Sequence, residues 1–455
     1  MGKVKDVSEL HLRHPEGFAD ILERARLRAV PWLDIAESET QARARGAWAA
    51  CEELALAPNI LDLFEATLKR GGVAGEGRVA KILYLALTSR LLKRIVSVAV
   101  KGPSSGGKSY LVEQVLHFFP ESAYYALTAM SDRTLAYSEE PIKHRFLVLF
   151  EAAGMSGDFA TYLIRSLLSE GRLRYETVEK TSEGMKPRLI EREGPTGLIV
   201  TTTAVKLHPE NETRLLSLAV NDTREQTRAV LAALAQEDGE VLDLKPWQAL
   251  QEWLATAEHR VHIHYAKGLA ELIPPVAVRL RRDFPAILNL IRAHAVLHQA
   301  TRSRDEQGRI EASIEDYAAV RQLVADLVSE GVEVAVPKII RETVEAVERM
   351  PRDSGGETVT VAAVARELKL DNSTALRRVR TAIDRGHLKN QEDRKGRPAR
   401  LVPGDPLPED IEVLPSVEKL RGCTIAPETE RISTSPPPVA SEAGSEAGGR
   451  ERFAL

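Results

Sequence analysis

Apolar residues recur at helical spacing through residues 1–75, with Trp32, Trp48, Leu54, Leu56, Leu61 and Phe64 as the candidate core of that stretch. Gly71, Gly72, Gly75 and Gly77 interrupt the pattern and predict a flexible joint. Residues 79–92 resume as an apolar helix, and the β-branched run at 95–100 predicts a short buried strand. Strand and helix patterns then alternate to about residue 235, which predicts a mainly parallel sheet covered on both faces. Residues 246–331 return to the helical period, broken at Pro274 and Pro275, and a further helix follows Pro337. Beyond about residue 425 the chain reads TSPPPVASEAGSEAGG, which buries too little apolar surface to offset the entropy of ordering it.

Composition narrows the class. A chain of 455 residues has room for roughly two to four folded units. No apolar run approaches the roughly 20 residues that span a bilayer, so no membrane partner is expected. The opening MGKVKDVSELHLRHPEG has no apolar stretch behind its charges and does not look like a secretory signal. Cys51 and Cys423 make neither a disulfide framework nor a zinc site, and a reducing cytoplasm is the expected compartment. The net charge of −4 argues against a protein that coats nucleic acid along its whole surface. The charge is unevenly spread, however: nine Lys/Arg stand against four Asp/Glu in residues 371–402. A basic patch on a small unit is the usual footprint of phosphate contact, although a solvated charged face has the same composition.

The most specific signal is Gly102-Pro-Ser-Ser-Gly-Gly-Lys108-Ser109, which fits G-x-x-x-x-G-K-[ST] between a predicted strand and a predicted helix at 109–118. Gly102, Gly106 and Gly107 let backbone N–H groups turn inward around a phosphate without Cβ clashes. The helix N-terminus adds partial positive charge. Lys108 can reach the β- and γ-phosphates of ATP, and the Ser109 hydroxyl can ligate Mg²⁺. Residues 146–150 are apolar and lead to Glu151, the pattern of a buried strand ending in a carboxylate. Glu151 is the candidate to activate water and to help hold Mg²⁺. Many such ATPases carry a second acid where this chain has Phe150, so Mg²⁺ is expected through water or Ser109, and hydrolysis can be slow.

Residues 197–203 form another apolar strand ending in hydroxyls, and Thr202 or Thr203 can hold the attacking water. Arg214 precedes the next strand, at 215–220. It can reach a neighbouring subunit's γ-phosphate or pair with Glu210 or Glu212. Residues 173–180 and 187–192 are β-rich arms around a turn holding Gly184, a hairpin signature. Lys180, Lys186 and Arg188 near its tip can grip a phosphate backbone, unless the hairpin packs on its own domain. Arg281 and Arg282 open an amphipathic helix built on Phe284, Ile287, Leu288 and Ile291, and can point at the nucleotide. His294 and His298 share a helix face, but no third ligand accompanies them in the sequence. With His262 and His264 they are read as packing residues.

Residues 360–368 and 373–385 are two helices about a turn in which Asp371 or Asn372 is the N-cap. The second buries Leu376, Val379 and Ile383, shows Arg377, Arg378 and Arg380, and ends at Gly386. Strands at 387–390 and 399–402 flank a basic wing of Arg394, Lys395 and Arg397. A helix-turn-helix with a wing places its second helix in the DNA major groove and its wing on phosphate. Winged helices also mediate protein contacts.

In this order, the P-loop, the strand ending in Glu151, the inserted hairpin, the Thr201 to Thr203 strand tip and Arg214 resemble the ATPase core of AAA+ replicative helicases. The segment RRDFPAILNLIRAHAVLH, followed by EASIEDYAAVRQL, resembles the lid of the minichromosome maintenance (MCM) helicases, which can also end in a winged helix. The span is also similar to helicase–primase proteins of phages and mobile elements. The resemblance covers roughly residues 80–402. It implies an α/β fold: a P-loop AAA+ core with a parallel sheet at 76–240, a helical lid at 241–335 and a C-terminal winged helix-turn-helix at 336–405. A helical N-terminal region at 1–75 and a disordered tail at 406–455 flank these. It implies an ATP-dependent DNA helicase or translocase of DNA replication, working as a homo-oligomeric ring, often a hexamer. Carried over, Lys108 and Ser109 bind nucleotide and Mg²⁺, Glu151 activates water, Thr203 senses the γ-phosphate, Arg214 is the finger in trans, and Arg281 or Arg282 is the lid sensor. Residues 1–75 match neither a zinc-bearing DNA-binding domain nor a primase site. Two other readings stand beside the motor. One is an ATP-switched DNA-binding initiator, loader or transcription regulator. The other is a P-loop enzyme acting on a small molecule, which the lid, finger and winged helix disfavour.

Overall fold

The computed structural model describes residues 6–131, 133–151, 158–182, 184–203, 214–235, 242–335, 338–350, 359–392, 394, 397–405, 407 and 413–424. The chain opens with α1 (Val7–Arg13), α2 (Phe18–Arg28), α3 (Trp32–Ala55), α4 (Ile60–Arg70) and α5 (Gly77–Thr88). An α/β unit follows: β1 (Val98–Lys101), α6 (Lys108–Leu116), β2 (Tyr124–Leu127), α7 (Thr134–Tyr137), β3 (Arg145–Leu149) and α8 (Asp158–Glu170). It continues with β4 (Arg172–Thr181), β5 (Gly184–Glu193), β6 (Thr196–Thr202), β7 (Leu216–Ala219) and α9 (Arg224–Leu234). The lid holds α10 (Lys245–Thr256), β8 (Val261–His262), α11 (Ala266–Leu272), α12 (Leu280–Leu297), β9 (Ile310–Glu311) and α13 (Ile314–Ala335). Last come α14 (Lys338–Arg349), α15 (Val361–Glu367), α16 (Asn372–Asp384), β10 (Leu388–Asn390), β11 (Leu401–Pro403) and α17 (Val417–Thr424).

The main sheet is parallel throughout, in the order β2-β3-β6-β1-β7. Its pleat explains the unbroken apolar runs. Val98, Val100, Phe146, Val148 and Ile199 face the core shared with α5, α6 and the lid. Ala99, Leu147, Leu149, Leu198 and Val200 face the core shared with α7 and α8. Alternate residues thus serve opposite faces, and both faces are covered. This is the α/β arrangement that the sequence pattern leads one to expect: a parallel sheet, a P-loop after its first strand, and a helical lid.

The amino-terminal stretch departs from expectation. Cys51, Ala55, Ile60, Phe64 and Leu68 belong to the main core, not to one of their own. Phe64 packs tilted on Tyr84 (4.5 Å) and edge-to-face on Phe118 (4.8 Å) and Trp247 (6.0 Å), and Trp48 packs on Trp253 (4.8 Å). The glycine stretch is therefore a connection within one packed body rather than a hinge between two. Leu56, an expected core residue, is 47% exposed because it caps the end of α3. Helices α1 and α2 bury no residue.

The basic unit has a separate core of Ile340, Val344, Val347, Val364, Val379 and Leu388. Asp371 is the N-cap of α16, accepting from Thr374 N (2.8 Å), and Gly386 ends that helix at φ +85°. Its buried face is Ala375, Val379 and Ala382, whereas Leu376 stays 37% exposed, one position off the expected face. The tail expected from residue 406 is folded at 413–424. Val413, Leu414 and Leu420 are buried against the lid, and Tyr317 donates its hydroxyl to Pro415 O (2.6 Å). Three apolar anchors are too few to show as a period in sequence. No helix among the described residues is long and apolar enough to cross a membrane.

Candidate nucleotide site and basic surfaces

Parallel strands bring their carboxyl-terminal tips to one edge, and three predicted residues meet there. The P-loop leaves β1 and is pinned to β6 by Gly102 N donating to Thr202 O (3.3 Å). A Cβ on Gly102 would lie 2.3 Å from Val220 Cγ2, so only glycine fits. Gly107 caps α6 at φ +75°. Lys108 is buried, its Nζ folded back onto Pro103 O (2.6 Å) across the loop, and Ser109 is exposed beside it. Leu149 pairs with Val200 and Lys101 with Thr202, so Glu151, Thr202 and Lys101 stand level on three adjacent strands, with Gly102 one residue beyond. Two strand spacings put the Glu151 main chain roughly 10 Å from the loop, room for a γ-phosphate and a water.

Glu151 is exposed, and its N–H donates to Thr201 Oγ1 (2.9 Å). Its φ of +78° is rare for a residue with a Cβ, a strain that marks functional positions. Phe150 shares the strand face of Phe146 and Val148 and packs on the main core, so pleat parity removes it as a ligand. Thr202 ends β6 buried; Thr203, one residue past the strand, is exposed. An exposed hydroxyl and a carboxylate, completed by phosphate oxygens and water, are a donor set that fits Mg²⁺.

Sequence reasoning missed the other wall. Residues 72–74 and α9 enclose a cavity of about 530 Å³ against the P-loop. Gln226 Nε2 donates to Ala74 O (2.6 Å), and Asn221 N donates to the Glu76 carboxylate (2.9 Å). Burial raises the Glu76 pKa against that hydrogen bond. Gly75 takes φ +73°, and a Cβ there would meet Gln226 Oε1 at 1.7 Å. Val230, Leu231 and Leu234 offer an apolar, exposed floor for a base. The signal for it in the sequence is the four-glycine stretch, which by composition predicts only a joint.

Arg214, Arg281 and Arg282 gather elsewhere. They line a cavity of about 640 Å³ whose wall includes residues 93–97, which precede β1. Arg214 Nε donates to Ser169 Oγ (2.7 Å); Glu210 and Glu212 lie outside the described residues. Arg279 joins them, paired with Asp283 (3.0 Å), whose carboxyl is raised by burial. From Ser97 to Gly102 is roughly 16 Å of extended chain, so Arg281 and Arg282 do not point at their own P-loop. The expectation is corrected in this respect: the lid packs its arginines against the amino-terminal ends of the strands.

His294 and His298 do have a third partner in space. Asp316 lies 2.7 Å from His294 Nδ1, and all three residues are buried. Asp316 is already saturated by Arg302 (2.6 and 3.1 Å) and Ser313 N (2.7 Å), which makes this an internal ion pair. Burial works to raise the Asp316 pKa, but its bonds to His294 and Arg302 hold it well below the usual carboxylate range. Burial also pushes His298 down to about 3. His262 and His264 belong to no metal-binding group among the described residues.

The hairpin projects outward. Its arms are longer and its turn tighter than expected, and residues 184–189 are exposed throughout, with Val178, Met185 and Leu189 bare. Lys180 and Lys186 are exposed near the tip, while Arg188 is paired with Glu179 (2.9 Å). On α16, Arg377 and Arg380 are exposed. Arg378 is not equivalent: it lies along α14, paired with Glu342 (3.3 Å) and 18% exposed, which corrects its place in the predicted DNA surface. Arg394 and Arg397 are exposed, and Lys395 lies outside the described residues.

No family model matches the sequence, and no curated protein does. Among solved structures, the chain is similar to a full-length MCM homolog from Methanopyrus kandleri, at 16% identity and a TM-score of 0.40 over 64% of this chain and 62% of that one. It is similar to the Aeropyrum pernix ORC1 protein in complex with DNA, at 13% identity and a TM-score of 0.27 over 83% and 95%. It is similar to Drosophila ORC bound to DNA, at 12% identity and a TM-score of 0.24 over 79% and 90%. Likenesses this loose leave the functional reading to the site itself.

Proposed function

We propose that this chain is an ATPase that acts on DNA as a homo-oligomeric ring, the hairpins gripping the strand and the winged helix docking on duplex. One observation carries this reading: the arginines suited to a γ-phosphate stand at the opposite end of β1 from the P-loop. A residue there is out of reach of its own P-loop but can serve a phosphate held by another copy. In such a joint site Lys108 and the loop N–H groups hold the β- and γ-phosphates. Ser109 and Glu151 would hold Mg²⁺, which would neutralise the phosphate charge when bound. Glu151 accepts a proton from the attacking water, the Thr202 or Thr203 hydroxyl orients it, and the neighbour's Arg214 stabilises charge on the leaving oxygens.

The test is ATP hydrolysis by the purified protein without DNA, with single-stranded DNA and with duplex, beside Lys108→Ala. DNA stimulation lost in the variant is the expected result. Slow hydrolysis indifferent to DNA defeats the motor. It would move the reading to an ATP-gated initiator or regulator, for which Arg377 and Arg380, exposed on α16, would supply the duplex-binding face.

A further inference from the structure

A third cavity, of about 890 Å³, opens between α3, α10 and the segment that leads into β3, away from the P-loop. Arg90 on its wall is 3% exposed, with no carboxylate in salt-bridge reach among the described residues. Its guanidinium donates to Gln251 Oε1 (2.7 Å), Gln251 O (3.2 Å) and Leu87 O (3.2 Å), and lies 5.5 Å over the Phe119 ring. All these partners are neutral. A buried cation held only by dipoles is costly, and an uncharged amide could make similar bonds, so the charge itself calls for a counter-ion.

A second donor points to the same need. Arg145, also on the wall, keeps its Nε buried without a hydrogen-bond partner among the described residues, although its other nitrogens bind Glu140 (2.5 Å) and Tyr124 O (2.6 Å). The mouth is cationic too. Arg43 stands exposed on α3, and Lys143 lines the cavity while pairing with Glu193 (2.9 Å). His144 and His259 lie between, each ring tied by one nitrogen to a main-chain carbonyl (2.7 Å both). The carboxylates on this wall, Glu121 and Glu252, are exposed.

We propose that this cavity binds the terminal phosphate of a small phosphorylated ligand, with Arg90 as its buried counter-charge. Terminal is required because Arg90 lies deep: an internal phosphodiester carries chain on both sides and cannot enter that far. The volume exceeds that of a phosphate and lies in the range of small-molecule sites, so a larger body fits behind it. A free nucleotide and a 5′-phosphorylated DNA end share this chemistry.

The test uses full-length protein carrying Lys108→Ala, so that the P-loop does not contribute, and follows binding of inorganic pyrophosphate by calorimetry. Saturable binding is expected, weakened about tenfold or more by adding Arg43→Glu with Lys143→Glu, both surface changes at the mouth. Arg90→Gln should abolish binding yet melt no lower than its parent in phosphate-free buffer. No binding, or binding indifferent to the double charge reversal, overturns the proposal. Tighter binding of a nucleoside diphosphate than of a 5′-phosphorylated oligonucleotide assigns the site to soluble nucleotide. A preference for phosphorylated over unphosphorylated oligonucleotide assigns it to a DNA end. Because the P-loop is disabled throughout, failure here is separable from failure of the ATPase reading.

Discussion

At the carboxyl-terminal end of the sheet, the candidate phosphate contacts are backbone N–H groups; at the amino-terminal end they are long cationic side chains. The first needs a contiguous loop, since neighbouring N–H groups must converge within a few ångströms, and β1 delivers that loop to α6. The second collects Lys93, Arg94, Arg214, Arg281 and Arg282 from three distant stretches of chain. In the proposed ring, the difference marks where one subunit would need its neighbour: one end would hold the nucleotide, and the other would present charge to a nucleotide held by the next copy.

The sharpest way to break that contrast is Arg214→Ala. Hydrolysis should fall by roughly 10³-fold, as for loss of a finger, while ATP still binds. Mixing it with Lys108→Ala should restore activity, because hybrid assemblies contain sites with both wild-type groups. Failure to restore would place Arg214 in cis or outside the reaction.

The lid that carries the arginine end should also be the acid-sensitive part. His298 is pushed from about 6.5 down to about 3 by burial. Unfolded chains then bind the extra proton first, so the associated stability is full above about pH 6.5 and is lost as pH falls toward 3. At 1.36 kcal/mol per pH unit, the part of this lost between pH 6.5 and 4 is roughly 3–4 kcal/mol. Urea melts of wild type and His298→Gln between pH 7 and 4 check it; equal slopes would remove His298 as the cause.

The basic unit repeats the contrast on a smaller scale. Arg377→Ala and Arg380→Ala should each weaken duplex binding by roughly 1–3 kcal/mol. Arg378→Ala should cost less binding and more stability, since its partner is Glu342. Equal losses from all three in a fluorescence anisotropy titration would contradict the split. Smallest is Gly75→Ala, expected to cost roughly 1–2 kcal/mol of stability through its positive φ and its contact with Gln226. It should raise the KM for ATP more than it lowers kcat, because the wall it disturbs faces the base rather than the γ-phosphate.

What could be seen beforehand follows the same line. The P-loop, the Glu151 strand, the hairpin and the Asp371 cap are local patterns, each fixed by residues a few positions apart. Neighbouring residues bond and clash in ways their order alone dictates. Phe64 in the main core, Asp316 beside His294, Arg378 against Glu342, and the Gly75 and Gln226 pairing are not local. Their partners lie tens to hundreds of residues away, and nothing in either stretch encodes the other. The sequence by itself determined that a phosphate-binding loop exists and which elements surround it. Only the tertiary structure decided which end of the sheet each charge faces, because packing of the lid against the strands, and not residue order, sets that direction.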